Sequence, residues 1–274
     1  MDRLTGIDAK LERAQEHLVF IEQRGNAWVA EQESWEFSSE VNKRERRYVV
    51  SMRLVEPVPP VLTLMVDEVI HHLRSSLDHL ASYLVERSGG EVGRAAWPVM
   101  RSRCQWARQV ERRQRQWQLW RKKGGGPLAG ASAEVRAFIE GKQPYKGPGK
   151  ATDDPLFTLD ELWNAEKHRI LNPIRVHATP AGSWRSLFQV TPDVDPVHFH
   201  WVLKAGHELK LSTKRTLAVL EFSRNLPSLP KVEMNGQIPA QITVGDSERG
   251  DSTLQEDLDL IREIVAEATA EFPP

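Results

Sequence analysis

The spacing of apolar residues changes once along this chain, near Pro173, and this change limits the folds that the chain can adopt. Before it, apolar residues recur every three or four positions over residues 7–33, 61–86 and 156–171, which is the repeat of an amphipathic helix. After it, residues 173–244 contain short apolar runs separated by Gly, Pro, Asp and Asn, a pattern typical of antiparallel strands. The chain therefore combines a helical part with a sheet.

Two further segments complete the predicted architecture. Residues 34–55 contain two partly alternating runs on either side of the polar sequence NKRER, which indicates a β-hairpin, and residues 253–271 return to helical spacing. The sequence predicts an α+β fold, with a mainly helical part over residues 1–172 and an antiparallel sheet plus a C-terminal helix over residues 173–274. Because a helical bundle and a sheet each have to bury an apolar face, we expect the two parts to pack into one compact unit.

Charge and cysteine content narrow the functional classes. The chain has 37 Lys and Arg against 38 Asp and Glu, a formal net charge of -1, so attraction to a nucleic acid would have to come from local clusters. Cys104 is its single cysteine, which excludes a disulfide framework and favours a reducing compartment. No apolar run approaches the about 20 residues that a membrane span needs, and no signal peptide is recognisable. We expect a soluble cytoplasmic protein with no membrane partner.

The sequence HHLRSSLDHL, residues 71–80, places unusual polar residues in the best-defined predicted helix. At 100° per residue, the positions beside the apolar stripe of this helix form two polar stripes. One stripe consists of Glu68, His72, Ser75 and His79, and the other consists of Asp67, His71, Arg74 and Asp78. Each stripe could face a different neighbour.

Arg74 and His79 make the pattern R-x4-H within this helix. The pattern resembles the R-x4-6-H motif of HEPN-type helical domains, many of which are metal-independent ribonucleases that act as dimers. The resemblance implies that His79 moves the proton of a ribose 2'-hydroxyl or of the leaving oxygen, and that Arg74 neutralises charge on the phosphate. The residue after the arginine is typically Asn, Asp or His in those motifs, whereas here it is Ser75.

A second resemblance extends over about residues 60–172. HHLRSSLDHL, WPVM and QPY, followed by ELWNAEKHRIL, resemble a set of bacterial proteins, common in actinobacteria, with H-N-L-R-S-A-L-D-H-L, F-P-I, Q-P-Y and N-x-D-K-H-R at comparable spacing. His72 stands where that set has Asn, and Glu166 stands where it has Asp. The resemblance implies that the two helices form a pair, and it implies no particular reaction.

The helix pair has two interpretations. In the first, it forms a site that acts on a bound substrate. The catalytic candidates are then Arg74, His79, Asp78 and His72, and the ligand-binding candidates are Glu68, Ser75, Asn164, Lys167, His168 and Arg169. In the second interpretation, the same polar residues form an internal network of hydrogen bonds and ion pairs that holds the two helices in register.

No cofactor motif is recognisable in the sequence. The glycines of KKGGGPLAG lack the Lys-Ser/Thr of a phosphate-binding loop, and no nucleophile elbow is present. Glu68 and His72, one helical turn apart, could bind a first-row metal together with His79 and His168. The two-histidine zinc sequence H-E-x-x-H is absent, however, and we expect no metal and no cofactor.

Residues 94–123 are strongly basic, with ten arginines and lysines opposed by Glu111 alone, and four tryptophans are interleaved. Such a segment could follow the backbone of RNA and stack tryptophans on unpaired bases. Its alternative is an arginine-rich helix whose apolar stripe is buried in the core. That stripe would contain Trp106, Val110, Trp117 and Trp120.

Two functions remain open from the sequence. The first is a HEPN-like protein that cleaves or binds RNA in a bacterial defence or toxin system, with RNA contacted through residues 94–123 and with a homodimer as the active form. The second is a non-enzymatic interaction protein whose polar helix pair is structural. Burial of Arg74 and His79 discriminates between them, because a catalytic group has to reach its substrate.

Overall fold

The structure is a computed structural model of the 274-residue chain. It describes residues 3–31, 35–90, 92–93, 95–111, 126–168, 174–178, 188–191, 199–203, 207–209, 213–226, 228–234, 240–244 and 253–274. The chain divides into two compact units. Unit 1 contains residues 1–21, 61–173 and 244–274, and unit 2 contains residues 22–60 and 174–243.

The described helices lie mainly in unit 1. The α-helices are α1 Arg3–Ala30, α2 Pro60–Arg87, α3 Arg103–Trp106, α4 Ala133–Gly141, α5 Pro155–His168 and α6 Leu254–Glu271. A single π-helical turn, Ala107–Glu111, follows α3, and the 3₁₀ turns Pro144–Lys146 and Ala151–Asp153 connect α4 with α5. The boundary between the two units falls inside α1, after residue 21.

α2 supplies a continuous apolar face to the core of unit 1. Along this face Leu62, Val66, Leu73, Leu80 and Leu84 are completely buried. They recur at helical spacing, so the stripe predicted from the sequence is the buried one. The polar stripes of α2 lie on either side of this face, and their position therefore follows from burial of the leucines.

Both ends of α2 have local causes. Pro60 is its first residue, where the fixed φ of proline suits a helix and its missing N–H removes no intrahelical hydrogen bond. At the other end Gly89 has a φ of 76°, and the N–H groups of Gly89 and Gly90 donate to the carbonyls of Glu86 and Val85. This is a Schellman motif, which favours glycine at the left-handed position.

The strands form antiparallel ladders. They are β1 Trp35–Asn42, β2 Arg47–Leu54, β3 Ile174–Ala178, β4 Phe188–Thr191, β5 Phe199–Leu203, β6 His207–Leu209, β7 Arg215–Phe222, β8 Lys231–Met234 and β9 Ala240–Val244. One sheet has the order β1-β2-β7-β5, and two smaller ones have the orders β6-β3-β9 and β4-β8. β2 lies inside the four-stranded sheet, and its Tyr48, Val50 and Met52 are buried.

The predicted hairpin is formed by β1 and β2. Its turn is held by side chains: Asn42 Oδ1 accepts the backbone N–H groups of residues 44 and 45, each at 3.1 Å. Arg46 has a left-handed φ of 52°, which is uncommon outside glycine. Its guanidinium donates to the carbonyls of Ser223 and Leu226, so contacts within unit 2 stabilise this conformation.

The predicted α+β class is confirmed, since the described helices and strands change over near residue 173, apart from the early hairpin and the final helix. The packing of the helical part and the sheet into one unit stays a prediction. In the basic segment 94–123, α3 and the π-helical turn form the described helical structure, and residues 112–125 lie outside the described residues. No helix in the described part of the chain is long and apolar enough to cross a membrane.

α6 begins with a capping box and buries one ionisable group. The hydroxyl of Thr253 accepts the N–H of Glu256, and the Glu256 carboxylate accepts the N–H of Thr253. The neighbouring Asp257 is 2% exposed, and its Oδ1 has no hydrogen-bond partner in the described part of the chain. Burial, followed by the charges of Glu256 and Asp154, raises the pKa of Asp257 to about 8. Asp257 is therefore mainly protonated at pH 7.

Asp257→Asn should raise the melting temperature at about pH 7.5. An unfolded chain binds this proton only below about pH 4. The folded protein therefore holds one proton more than the unfolded chain between about pH 4 and pH 8, and its stability falls as the pH rises through that window. Asn has no proton to release, so the variant should not lose stability in this way as the pH rises. Melting curves across the window test the effect, with the exposed Glu263→Gln of α6 as the control, and parallel pH profiles for the parent and Asp257→Asn would contradict it.

Candidate functional site

Arg74 lies in a closed network that joins three parts of unit 1. Its side chain is 10% exposed. Nη2 donates a hydrogen bond to the backbone carbonyl of Trp97 at 2.7 Å, Nη1 lies 2.9 Å from Asp78 Oδ1, and Nε lies 3.5 Å from Asp160 Oδ1. The N–H of Trp97 donates to the same Asp78 oxygen at 2.9 Å. The Trp97 contact has the directional geometry of a hydrogen bond, whereas the two carboxylates act on Arg74 mainly through their charge.

This network compensates the charge of the Arg74 guanidinium, which is buried away from water. Because a buried charge is costly without a counter-charge, the two carboxylates are needed to hold the Arg74 guanidinium in place. Asp78 comes from α2 itself, Asp160 comes from α5, and the carbonyl comes from the segment after α2. The result is that α2, α5 and residues 95–100 are joined at one point.

The predicted pairing of α5 with α2 passes through Asp160. Asn164 Nδ2 donates to Asp160 Oδ2 at 3.0 Å, while the other oxygen of Asp160 faces Arg74. Asn164 is exposed, so the contact between Asn164 and the Arg74 stripe is indirect. Asp160 belongs to no motif in the sequence. Its position one helical turn before Asn164, on the same face, is the signal that could have identified it.

Gln143 positions the segment that supplies the Trp97 carbonyl. Its side chain is buried, Oε1 accepts the N–H of Met100 at 2.9 Å, and Nε2 donates to the carbonyls of Pro98 and Ile139. The sequences WPVM and QPY are therefore in direct contact.

The other polar stripe of α2 faces α1. Arg3 Nε donates to Glu86 Oε2 at 2.7 Å, and the rings of His17 and His72 stack with 5.9 Å between centroids and 14° between planes. Arg3 precedes His17 by fourteen residues, and Glu86 follows His72 by fourteen, so the two helices run antiparallel. By this register Lys10 is halfway along α1 and His79 is halfway along α2, and the charge of Lys10 acts on both His79 and His72. We call this line the α1–α2 seam, and its pairs are Arg3 with Glu86, Lys10 with His79, and His17 with His72.

A histidine cluster lies at the His17 end of the seam. His17 is buried, and its Nε2 lies 2.9 Å from Glu68 Oε2, whose side chain is half exposed. The ring of His71 lies edge-on to His72 at 5.9 Å and 5.3 Å from the ring of Trp163 on α5. Nδ1 of His72 is buried without a hydrogen-bond partner among the described residues. The cluster therefore brings α1, α2 and α5 together at a partly exposed surface.

The environment of His72 favours its neutral form. Burial lowers the pKa of His72 below its usual range, and the charge of Lys10 lowers it further. His71 and His17 act in the same direction, while the carboxylate of Glu68 opposes them. The imidazole of His72 is therefore uncharged at neutral pH and can still accept a proton.

The pKa of His79 depends on residues of the same seam. Burial lowers the pKa of His79, Lys10 and then Arg3 lower it further, and Asp78 opposes them. A second neutral imidazole therefore lies beside Lys10, two helical turns from His72 on the same face of α2. The lysine and the two imidazoles are all partly exposed. Lys10 and His17 are seven residues apart on α1, and this spacing is the signal that could have placed them on one face from the sequence.

The structure places the four catalytic candidates in two separate environments. Arg74 and Asp78 belong to the network around Trp97, while His72 and His79 belong to the seam with α1. Five residues correspond to about 140° around a helix, so Arg74 and His79 face different neighbours. The R-x4-H pattern therefore does not form a joint cation and imidazole contact within the described part of the chain.

The ligand-binding candidates are also divided. Glu68 contacts His17, Asn164 contacts Asp160, and Ser75 is half-buried between His72 and His79 on the seam stripe. The remaining candidates fall at the end of α5 or after it. The side chains of Lys167 and His168, and all of Arg169, lie outside the described residues.

The described part of the basic segment is largely compensated by acids. Arg101 and Arg103 each pair with glutamate, and Trp97 and Trp106 are 0% and 1% exposed. The glutamate partners are Glu161 at 2.8 Å for Arg101, and Glu111 and Glu140 at 2.6 and 3.1 Å for Arg103. The two described tryptophans are therefore not available to stack on an unpaired base. Trp117 and Trp120 lie outside the described residues.

Comparisons of this chain with protein-family models, curated proteins and solved structures found no match. Among the described residues, no group of three or more His, Cys, Asp or Glu side chains is placed to hold a metal ion. Function has to be inferred from the two polar faces of α2.

Arg74→Leu should destabilise the fold by about 3 kcal/mol, because it leaves the carboxylates of Asp78 and Asp160 without their buried cation. The loss should lower the melting temperature by several degrees. Arg87→Leu, at the exposed end of the same helix, is the matched control and should change it little. Equal melting temperatures for the two variants would show that the network does not hold the fold together.

Proposed function

We propose that this chain is a non-enzymatic interaction protein in which the polar pair of α2 and α5 is structural. The enclosure of the Arg74 guanidinium is the observation that carries the proposal. A guanidinium that stabilises a reacting phosphate has to contact it. To do so, Arg74 would have to leave the Trp97 carbonyl, Asp78 and Asp160 together, and two carboxylates would lose their cation.

The surface around the network supports the same proposal. Arg101 and Arg103 are engaged with glutamates, which reduces the positive potential that RNA would meet there. The roles of Gln143 and Asp160 are those of residues that hold segments together. Buried polar networks are known to fix one arrangement of packed helices.

HEPN-like binding or cleavage of RNA is the second candidate, and the state of His79 favours it. A partly exposed imidazole whose pKa is held below its usual range is neutral at pH 7 and can take a proton from a ribose 2'-hydroxyl. The cation beside His79 in this chain is Lys10, so the candidate no longer depends on Arg74. A role in bacterial defence and an active homodimer belong to this candidate.

Incubation with single-stranded RNA in the presence of a chelator separates the two functions. The first proposal predicts that the parent leaves the RNA intact. The second candidate predicts cleavage with cyclic phosphate ends, which His79→Ala should abolish without changing the melting temperature, because a group used in the transition state costs rate rather than stability. In that case Arg74→Leu, assayed below its melting temperature, should keep the activity. Cleavage by the parent that disappears in His79→Ala would overturn the non-enzymatic proposal.

A further inference from the structure

The three pairs of the α1–α2 seam differ in how their charge is balanced. Arg3 and Glu86 form an ion pair, and Glu68 lies against His17 at the other end. Lys10, in the middle, has no ion-pair partner among the described residues. The middle of the seam therefore carries a positive charge with no direct counter-ion in the part of the chain that the structure describes.

The serines of α2 add a second unusual feature at the same place. Ser76 and Ser82 of α2, and Ser88 directly after it, each donate their hydroxyl to the carbonyl four residues earlier, at 2.8 to 2.9 Å. This hydrogen bond is the usual partner of a serine hydroxyl within a helix. Ser75 makes no such bond, and no hydrogen-bond partner for its hydroxyl is present in the described part of the chain. Among the described residues its donor is therefore unpaired, and it lies on the stripe between His72 and His79.

We propose that Lys10, Ser75 and His79, with His72 at the edge, form a binding site for the oxyanion of a phosphate group. The ammonium supplies charge, and the hydroxyl and the imidazole N–H supply donors from a neighbouring helix. All four residues are partly exposed, so a ligand can reach them. A tetrahedral oxyanion suits the arrangement because it presents several acceptor atoms around one centre, which donors from two helices can share.

The acidic residue at the end of the seam limits where the anion can lie. Glu68, half exposed beside His17, repels an anion from the His17 end. Asp78 has the same effect near His79, and its ion pair with Arg74 at 2.9 Å weakens that effect. The centre of the site is therefore the pair of Lys10 with His79, and His72 contacts the anion only from the side.

Binding should depend on pH through the two imidazoles. Lys10, Arg3 and Asp78 are the charged groups that face His79, and Lys10, His17, His71 and Glu68 are those that face His72. A bound oxyanion adds a negative charge beside both rings and favours their protonated forms. Affinity for sulfate, whose charge does not change in this range, should therefore increase as the pH falls from about 8 to about 6, and the resonances of His79 should report the change.

A titration of the full chain with inorganic phosphate, followed by the imidazole NMR signals and by calorimetry, tests the site. Phosphate should shift the His79 signals, and Lys10→Met should weaken binding by about tenfold, the loss expected for one charge-assisted contact. Ser75→Ala should weaken it less. Lys150→Met, at an exposed position of the same unit, is the charge-matched control and should bind as the parent does.

Parallel titrations with a nucleoside monophosphate and with short single-stranded RNA identify the source of the phosphate. Tighter binding of either ligand than of free phosphate, still sensitive to Lys10→Met, would assign the site to that ligand. Unchanged affinity in both Lys10→Met and Ser75→Ala, or binding of RNA without any binding of phosphate, would overturn the proposal. The result is independent of RNA cleavage, because a chain that binds phosphate here and leaves RNA intact satisfies both proposals.

Discussion

A guanidinium withdrawn from water constrains how the elements of unit 1 are arranged. Arg74 can remain buried only where oxygen atoms surround it, and those atoms come from the backbone at Trp97 and from two carboxylates. Asp160 has to lie at one particular level of α2 for this contact, and the chain after α2 has to return to present a carbonyl. The apolar core supplies the driving force for packing, whereas this charge selects one register of the packed elements.

α2 therefore carries two polar faces of opposite electrostatic character. On the Arg74 face, a buried cation is paired with two partly exposed carboxylates. On the seam with α1, Lys10 lies beside two neutral imidazoles and a serine hydroxyl that has no hydrogen-bond partner among the described residues, and all of these groups are partly exposed. A face whose charges satisfy one another holds a structure together, while a face with unmatched donors is where a ligand can contribute the missing acceptors.

The buried and partly buried ionisable groups of unit 1 are stabilised in three ways. Arg74 keeps its charge and is surrounded by anions. His72 gives up its charge, since burial and neighbouring cations favour the neutral ring. Asp257 takes up a proton, since its carboxyl has no compensating cation within the described residues and burial raises its pKa. Whether a group keeps its charge depends on whether an opposite charge lies within contact distance. Without one, the free energy needed to bury the charge is larger than that needed to gain or lose a proton near neutral pH.

The sequence by itself determined the local elements of this protein. The spacing of apolar residues located α2 and the strands, the glycines after Arg87 marked its end, and both polar stripes of α2 could be seen as residues three and four apart. The sequence did not determine which element packs against each stripe. Periodicity shows which residues share a face of a helix and carries no information about the element that faces them. Asp160 and Lys10 look like ordinary surface charges in the sequence. Only the tertiary structure decided that one compensates Arg74 and the other lies beside His79, since both contacts join residues that are far apart along the chain.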